Sequence, residues 1–441
     1  MLKKAIGLII TILLFLQLFA PTLYASVIHI VNPGETLWEI SDQYNVNQHE
    51  VAKINGISNQ NKIVPGQSLI LNTDQYVVQK GDTLWEIANR HRVSLSELKN
   101  INDIKSDMIH VGQNIQVPKP SKSNIMIGAF AYPSDIIDGK VEHKYTYLSH
   151  ISAFEYHPKK NGELNELPKM KSFKNILWKK GTVPYATVTN LSPDGFDAKL
   201  AHELLTNKKK RTTLIENIYG KLQQYDLEGV VIDFEGLDSK DRDDFNQFIQ
   251  QLATRIHPVG MQLGVAVPPL QGNRNPSWNA AYDYKTLGQY ANYLFLMTYD
   301  WHWLGGEPGP IAPIDRVKET LEYGLSVMPK EKIVMGIPLY AYDWPINNGK
   351  SEAQAYAQMS AIEKAIEYGS TIHYDEENAS PWFRYTDEKG FDHEVWFEDA
   401  RSILAKYQLV KDLDILGIGG WQIKFSFPQS ERIIKEHFNI R

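Results

Sequence analysis

The 441-residue chain contains no cysteine. That excludes disulfides, thiolate metal sites and a cysteine nucleophile, and it leaves export open. The chain also lacks an excess of basic charge: 46 Lys and Arg against 52 Asp and Glu give a net charge of −6. A protein held to nucleic acid by phosphate contacts needs the opposite balance, so nucleic acid is not an expected partner. The 13 histidines are scattered with no H-E-x-x-H or comparable spacing, so neither a metal nor a cofactor is expected. No G-x-S-x-G elbow occurs. A G-K-S triplet ends at Ser351, but Trp344 stands where a phosphate-binding loop needs its first glycine, which rules that loop out. The run Lys208 to Arg211 is expected as a solvated helix face. A long apolar run is missing as well. The one candidate, Ala5 to Leu16 extended by Leu18 to Ala20, is shorter than the ~20 residues of a membrane span. It follows Lys3 and Lys4 and precedes Pro21, Ala25 and Ser26, the order of a secretory signal. Residues 1–25 are therefore expected to be a signal peptide, with an uncleaved anchor as the alternative; Leu23 is large for the third position before a cut after Ala25, so the cut site itself is not fixed by the sequence.

What is present begins with a repeat. "NPGETLWEISDQYNV" starts at Asn32 and "QKGDTLWEIANRHRV" at Gln79. Each follows a strand-like opening and leads through "VAKINGI" or "ELKNINDI" to "IVPGQSLIL" or "IHVGQNIQVP". The pattern is strand, helix, helix, strand at a spacing typical of small repeated modules. Thr36 and Thr83 precede Glu39 and Glu86 by three residues, as in a capping box. Trp38 and Trp85 occupy matching places and are expected in the module cores. Both repeats resemble LysM domains, here residues 27–72 and 75–118. The resemblance implies binding of glycans that contain N-acetylglucosamine, such as peptidoglycan or chitin.

Residues 119–124 read as a Pro/Ser/Lys linker. Beyond it, eight mostly apolar strand segments alternate with helices: "NIMIGAFAY", "LSHISAFEY", "VPYATVTN", "GVVIDFE", "QLGVAVPP", "NYLFLMTYD", "KIVMGIPLY" and "ILGIGGWQI". Apolar strands buried on both faces and separated by helices are those of a parallel sheet. Eight such units predict an α/β chain forming a (β/α)8 TIM barrel over residues 125–441. The long gap before strand eight holds "SPWFRYTDEKGFDHEVWFEDA" and reads as a β-hairpin in a small α+β insertion.

In such a barrel the chemistry collects at the C-terminal ends of the strands. On strand four, alternation sends Val230, Ile232 and Phe234 toward the helices and Val231, Asp233 and Glu235 toward the axis. Two carboxylates thus enter the barrel mouth together. A carboxyl group shielded beside another carboxylate keeps its proton to higher pH and can donate it. No cation stands nearby in sequence to make them a mere ion pair. Other strand ends bring Tyr299 and Asp300, Tyr340, and Trp421. Rings stack on sugar faces and carboxylates accept from sugar hydroxyls, so the set suits a carbohydrate.

These residues resemble glycoside hydrolase family 18, the chitinase-like family, whose D-G-x-D-x-D-x-E run is matched by Glu228 to Glu235. The resemblance implies Glu235 as proton donor and Asp233 as the group that orients the substrate's N-acetyl. It implies Tyr299 as a hydrogen bond to the acetamido oxygen, Asp300 as its motif neighbour and Trp421 as the floor of the sugar site. Retaining, substrate-assisted catalysis would follow. Two departures stand out. Val231 replaces the family's innermost Asp and leaves Asp233 without that partner, and "ATVTN" replaces S-x-G-G on strand three. LysM pairs ahead of such a barrel resemble the spore cortex-lytic and sporulation-specific glycosidases of endospore-forming bacteria. The expected partner is peptidoglycan, at the cell wall or spore envelope. A lectin-like barrel without catalysis and a structural wall or coat protein are the alternatives.

Overall fold

The structure, a computed structural model, describes residues 26–272, 279–346, 352–425 and 427–441. The expected signal peptide and the G-K-S triplet lie outside the described residues. Among the described residues no helix is long and apolar enough to cross a membrane.

The first module pairs Val27–Ile30 with Ser68–Leu71 antiparallel, around helices Leu37–Gln43 and Gln48–Ile54. The second pairs Gln75–Val77 with Asn114–Gln116, around Leu84–His91 and Leu95–Ile101. Both capping boxes form. The tryptophans do not enter the core: Trp38 is 63% exposed and Trp85 64%. In these short helices Leu37 with Ile40, and Leu84 with Ile87, occupy the inward face. The residue after each leucine is turned by about 100° around the helix and faces out. The repeated asparagines are the polar centre of each module. Asn55 donates to Val51 O and Ile70 O, both at 2.8 Å, and accepts from Ile70 N at 2.7 Å. Asn102 makes the same three bonds with Leu98 O, Gln116 O and Gln116 N.

The modules share one apolar core, and His91 of the second accepts from Ile28 N of the first at 3.1 Å. The first module is also bonded to the barrel. Gln429 Nε2 donates to Asn55 Oδ1 at 2.9 Å and to Ser68 O at 2.8 Å, and Ile372 N donates to Pro65 O at 2.9 Å. Gly66 sits at this seam with φ +80°, where any Cβ would collide with the carbonyl of Ile372. Its counterpart Gly112 has the same left-handed backbone with open space around it.

The barrel closes as read. Its strands are Ser123–Ala131, His150–Tyr156, Val183–Thr189, Gly229–Asp233, Gln262–Val267, Tyr293–Leu296, Ile333–Pro338 and Gly417–Trp421, all parallel, and the last pairs with the first. The first strand thus starts within the segment expected as linker. Val230, Ile232 and Phe234 belong to the shell under the helices, with Phe234 stacked 5.9 Å from Phe248. Val231 belongs to a separate cluster inside the barrel, with Phe130, Phe154, Tyr185 and Phe295. Lys208–Arg211 opens the helix Lys208–Tyr225, but it is not wholly a solvated face. Arg211 is buried, with its guanidinium bonded to Leu205 O, Gln247, Gln251 and Asp244.

The insertion between strands seven and eight is larger than a hairpin. It is a five-stranded antiparallel sheet with the helix Gln358–Glu367. Asp343 lies at its centre, buried, accepting from Tyr385 at 2.8 Å and from Tyr356 and Lys364 at 3.0 Å.

Removing a buried hydrogen-bond partner costs about 1–3 kcal/mol, or roughly tenfold or more in local opening. Asn55→Ala is therefore expected to speed amide exchange at Ile70 and also in the last helix, Pro428–His437, because Gln429 loses one of its two acceptors. Asn102→Ala is expected to speed exchange at Gln116 and leave the last helix unchanged. Hydrogen–deuterium exchange read by mass spectrometry checks both.

Candidate active site

Strand four is buried along its whole length and ends at Asp233, which is 7% exposed. Glu235 follows in the loop, partly buried, and Gly236 turns the chain away with φ +69°. Two side chains from neighbouring segments hold this loop. Asn190, just past strand three, donates from Nδ2 to Glu235 O and accepts from Glu235 N, both at 2.8 Å. Tyr282 donates to Phe234 O at 2.8 Å. The backbone carrying Glu235 is thus pinned from both sides, which narrows the positions its carboxyl can take. Neither residue was anticipated from sequence. The signal for Asn190 was its place in "ATVTN", where strand three departs from the S-x-G-G pattern. Tyr282 carried none.

The other expected residues gather at the same end. Asp300 follows strand six in a left-handed conformation, φ 61°, a strained state for a residue with a Cβ. Its Oδ1 accepts from Tyr340 at 2.6 Å and from Tyr342 at 2.9 Å. Tyr340 is buried, so its hydroxyl is engaged with Asp300. The Tyr299 ring lies edge-on to Tyr340 at 6.2 Å. Trp421, at the end of strand eight, packs on Phe154 at 4.5 Å and Phe130 at 5.8 Å. Tyr342, Trp344 and Trp396 continue the aromatic wall into the insertion. Exposed Trp303 stands at its edge, where its carbonyl accepts from Trp344 Nε1 at 3.3 Å.

Burial pushes Asp233 up from the ordinary carboxylate range, and the negative charge of Glu155 adds to the push. Burial also raises Glu235 well above its ordinary range, reinforced by Asp233 and then Asp300. Tyr299 is held neutral by burial and by the same three carboxylates. The pair thus retains protons that isolated carboxyl groups would have lost, which equips one member to act as a general acid near neutral pH. Among the described residues no group of three His, Cys, Asp or Glu is placed to hold a metal ion.

Comparison with known proteins agrees with this geometry. The signature of Glycosyl hydrolases family 18 matches residues 194–425. The chain belongs to that family. It is a glycosidase, and the LysM domain signature matches residues 29–72 and 76–118 ahead of its barrel. It is 37% identical over 421 residues to the cortical fragment-lytic enzyme of Bacillus anthracis, covering 93% of this chain and 98% of that one. The crystal structure of the Bacillus cereus spore cortex-lytic enzyme SleL superposes with a TM-score of 0.86 at 34% identity, covering 95% and 99% of the two chains. A chitinase from Chromobacterium violaceum matches 71% of this chain and 98% of its own, with a TM-score of 0.66 at 26% identity.

The raised carboxyls carry a stability consequence. A carboxyl whose folded pKa lies above its unfolded value makes the folded state bind more protons, so stability falls as pH rises from about 4 through the folded pKa. Glu235→Gln removes that penalty. The variant is expected to melt about 1–3 °C above wild type at pH 7–8, with the difference closing below about pH 4. Differential scanning calorimetry across pH checks it.

Proposed function

We propose that the protein is an exported peptidoglycan hydrolase that cleaves N-acetylglucosamine linkages in cell wall or spore cortex by substrate-assisted, retaining catalysis. The observation that carries this reading is the placement of Asp233 and Glu235 on one face of one strand end. Two-carboxylate retention needs an acid and a nucleophile on opposite sides of the scissile bond, about 5 Å apart. Carboxyls two residues apart on a single strand approach the sugar from the same side. The nucleophile is then supplied by the substrate: its 2-acetamido oxygen attacks the anomeric carbon as Glu235 protonates the departing oxygen. Asp233 accepts from the acetamido N–H and balances the positive charge of the cyclic oxazolinium. Tyr299 donates to the acetamido oxygen, and Trp421 underlies the sugar ring. Water, deprotonated by Glu235, opens the ring with retention. A muramic δ-lactam has no free acetamido group and is a poor sugar for this position, whereas N-acetylglucosamine fits.

The choice of peptidoglycan rests on the LysM pair, on the names of the relatives and on the absence of S-x-G-G. Export rests on the sequence of residues 1–25. A second reading, a glycan-binding barrel without catalysis, is favoured by Val231, which places an apolar side chain behind Asp233. Purified vegetative and spore-cortex peptidoglycan, digested with wild type and with Glu235→Gln, separates the two. New N-acetylglucosamine reducing ends, identified by mass spectrometry, are expected from wild type, with the variant slower by about 10²-fold or more and still bound to the glycan. Binding without release by wild type would establish the second reading.

A further inference from the structure

Strand two carries a carboxylate that none of the roles above uses. Its pairing with strand three runs Ala153 to Ala186 and resumes at Tyr156 to Val188. Two residues, Phe154 and Glu155, therefore face the single Thr187, which is the arrangement of a β-bulge. The bulge changes which side the residues take. Ala153 and Tyr156 both pack in the shell under the helices, although an odd separation along a regular strand would put them on opposite faces. The two residues between them are both turned inward. Phe154 joins the cluster inside the barrel, and Glu155 stands beside it. Thr187 pairs in turn with Val231, and Thr189 with Asp233. The bulge thus delivers a carboxylate into the layer just beneath Asp233, where strand four offers only the apolar Val231.

The Glu155 side chain is 12% exposed, and its Oε1 lies 3.2 Å from His157 Nε2. Its other oxygen is buried and has no hydrogen-bond partner among the described residues, and the same is true of Asp233 Oδ1. A carboxylate brought to the same end of the barrel as buried Asp233 disfavours a second negative charge there, so Asp233 keeps its proton to higher pH. We propose that Glu155 is a positioning residue for Asp233, the electrostatic partner through which the Asp233–Glu235 pair holds its proton, in place of a carboxylate on strand four itself. The inference rests on the hydrolytic reading above.

The charged and titratable surroundings are consistent with this assignment. On the Glu155 side stand His157, which Glu155 holds protonated to higher pH, and Tyr132, whose hydroxyl is raised first by burial and then by Glu155. On the Asp233 side stand Glu235, Asp300, Tyr299 and Tyr282. Among the described residues, no lysine or arginine acts on Asp233 or Glu235. The charge of Glu155 adds to the upward push that burial exerts on Asp233, so removing it acts on the pair.

The test compares wild type, Glu155→Gln, which keeps shape and loses charge, and Glu155→Asp, which keeps charge. With Glu155→Gln the pair loses its proton more readily. The alkaline limb of kcat/KM on peptidoglycan is expected to move down by about one pH unit, with activity near wild type at pH 5 and a loss of about tenfold on the alkaline side. Glu155→Asp is expected to restore most of the limb. Superimposed profiles, or a loss of equal size at every pH with normal folding, would overturn the proposal. A second readout does not depend on turnover: the carboxyl carbon of Asp233, followed by NMR in aspartate-labelled protein and identified by its absence in Asp233→Asn, is expected to titrate about one unit lower in Glu155→Gln. An unmoved titration overturns the role of Glu155 whatever the activity. A moved titration in a wild type that releases no product retains Glu155 and sinks the hydrolytic reading instead.

Discussion

The constraint on which this structure turns is the cost of keeping two carboxyl groups out of water at the end of strand four. An unpaired buried carboxylate costs several kcal/mol, and among the described residues that cost is met by keeping protons rather than by cations. The features around the pair follow from that choice. The walls are rings, Tyr299, Tyr340 and Trp421, which exclude water without neutralising charge. The loop that carries Glu235 is fixed through its backbone by Asn190 and Tyr282, which hold it in place without adding a cation beside its carboxyl. Asp300 is fixed by neutral tyrosine hydroxyls in a strained conformation. A lysine or arginine at any of these places would favour the ionised carboxyls and lower the pair's hold on its protons. The site is a region where stability has been given up locally, and the barrel around it is closed and well packed enough to tolerate that.

The same logic reaches the domain arrangement. A LysM pair on a flexible tether would raise the local concentration of glycan with little control over orientation. Here the two modules share a core with each other, and the first is bonded through Asn55, Ser68 and Pro65 to the barrel's last helix and to the insertion. A polymer held by the modules is presented to the cleft along a restricted set of directions. Gly66 records this in the sequence. Both repeats need a glycine for the left-handed turn, but only the first needs it also because the insertion's backbone passes through the space of a side chain.

Much of this was legible in the chain. The eight barrel strands are readable because each is an apolar run between helices, and alternation alone separates inward Val231 from outward Val230, Ile232 and Phe234. The paired modules were readable because the repeat shows the same caps and the same asparagine twice. The tryptophans of those modules were misplaced because large apolar residues were equated with core. In a helix of seven or eight residues one face is already filled by Leu37 and Ile40, and the next position has nowhere to go but outward. Arg211 was misread in the opposite sense, as one charge in an exposed run. Its acceptors, Leu205, Gln247 and Gln251, come from two other helices, and a local charge pattern does not contain them.

What stayed illegible at the site has a common cause. Asn190, Tyr282 and Glu155 matter because of what they face across strands, and a single sequence states what precedes and follows a residue, not what lies beside it. Glu155 is the sharpest case. In "HISAFEY" regular alternation places Phe154 inward and Glu155 outward, a solvent-facing or helix-facing acid of no interest. One extra residue in the ladder reverses that assignment and puts a carboxylate in the layer that Val231 leaves apolar. A departure from a family pattern on one strand is then not, by itself, a loss of function. The quantity that the chemistry needs is a negative charge at a given depth in the barrel. Depth is set by register across three strands, so a substitution on strand four has to be weighed together with a bulge on strand two.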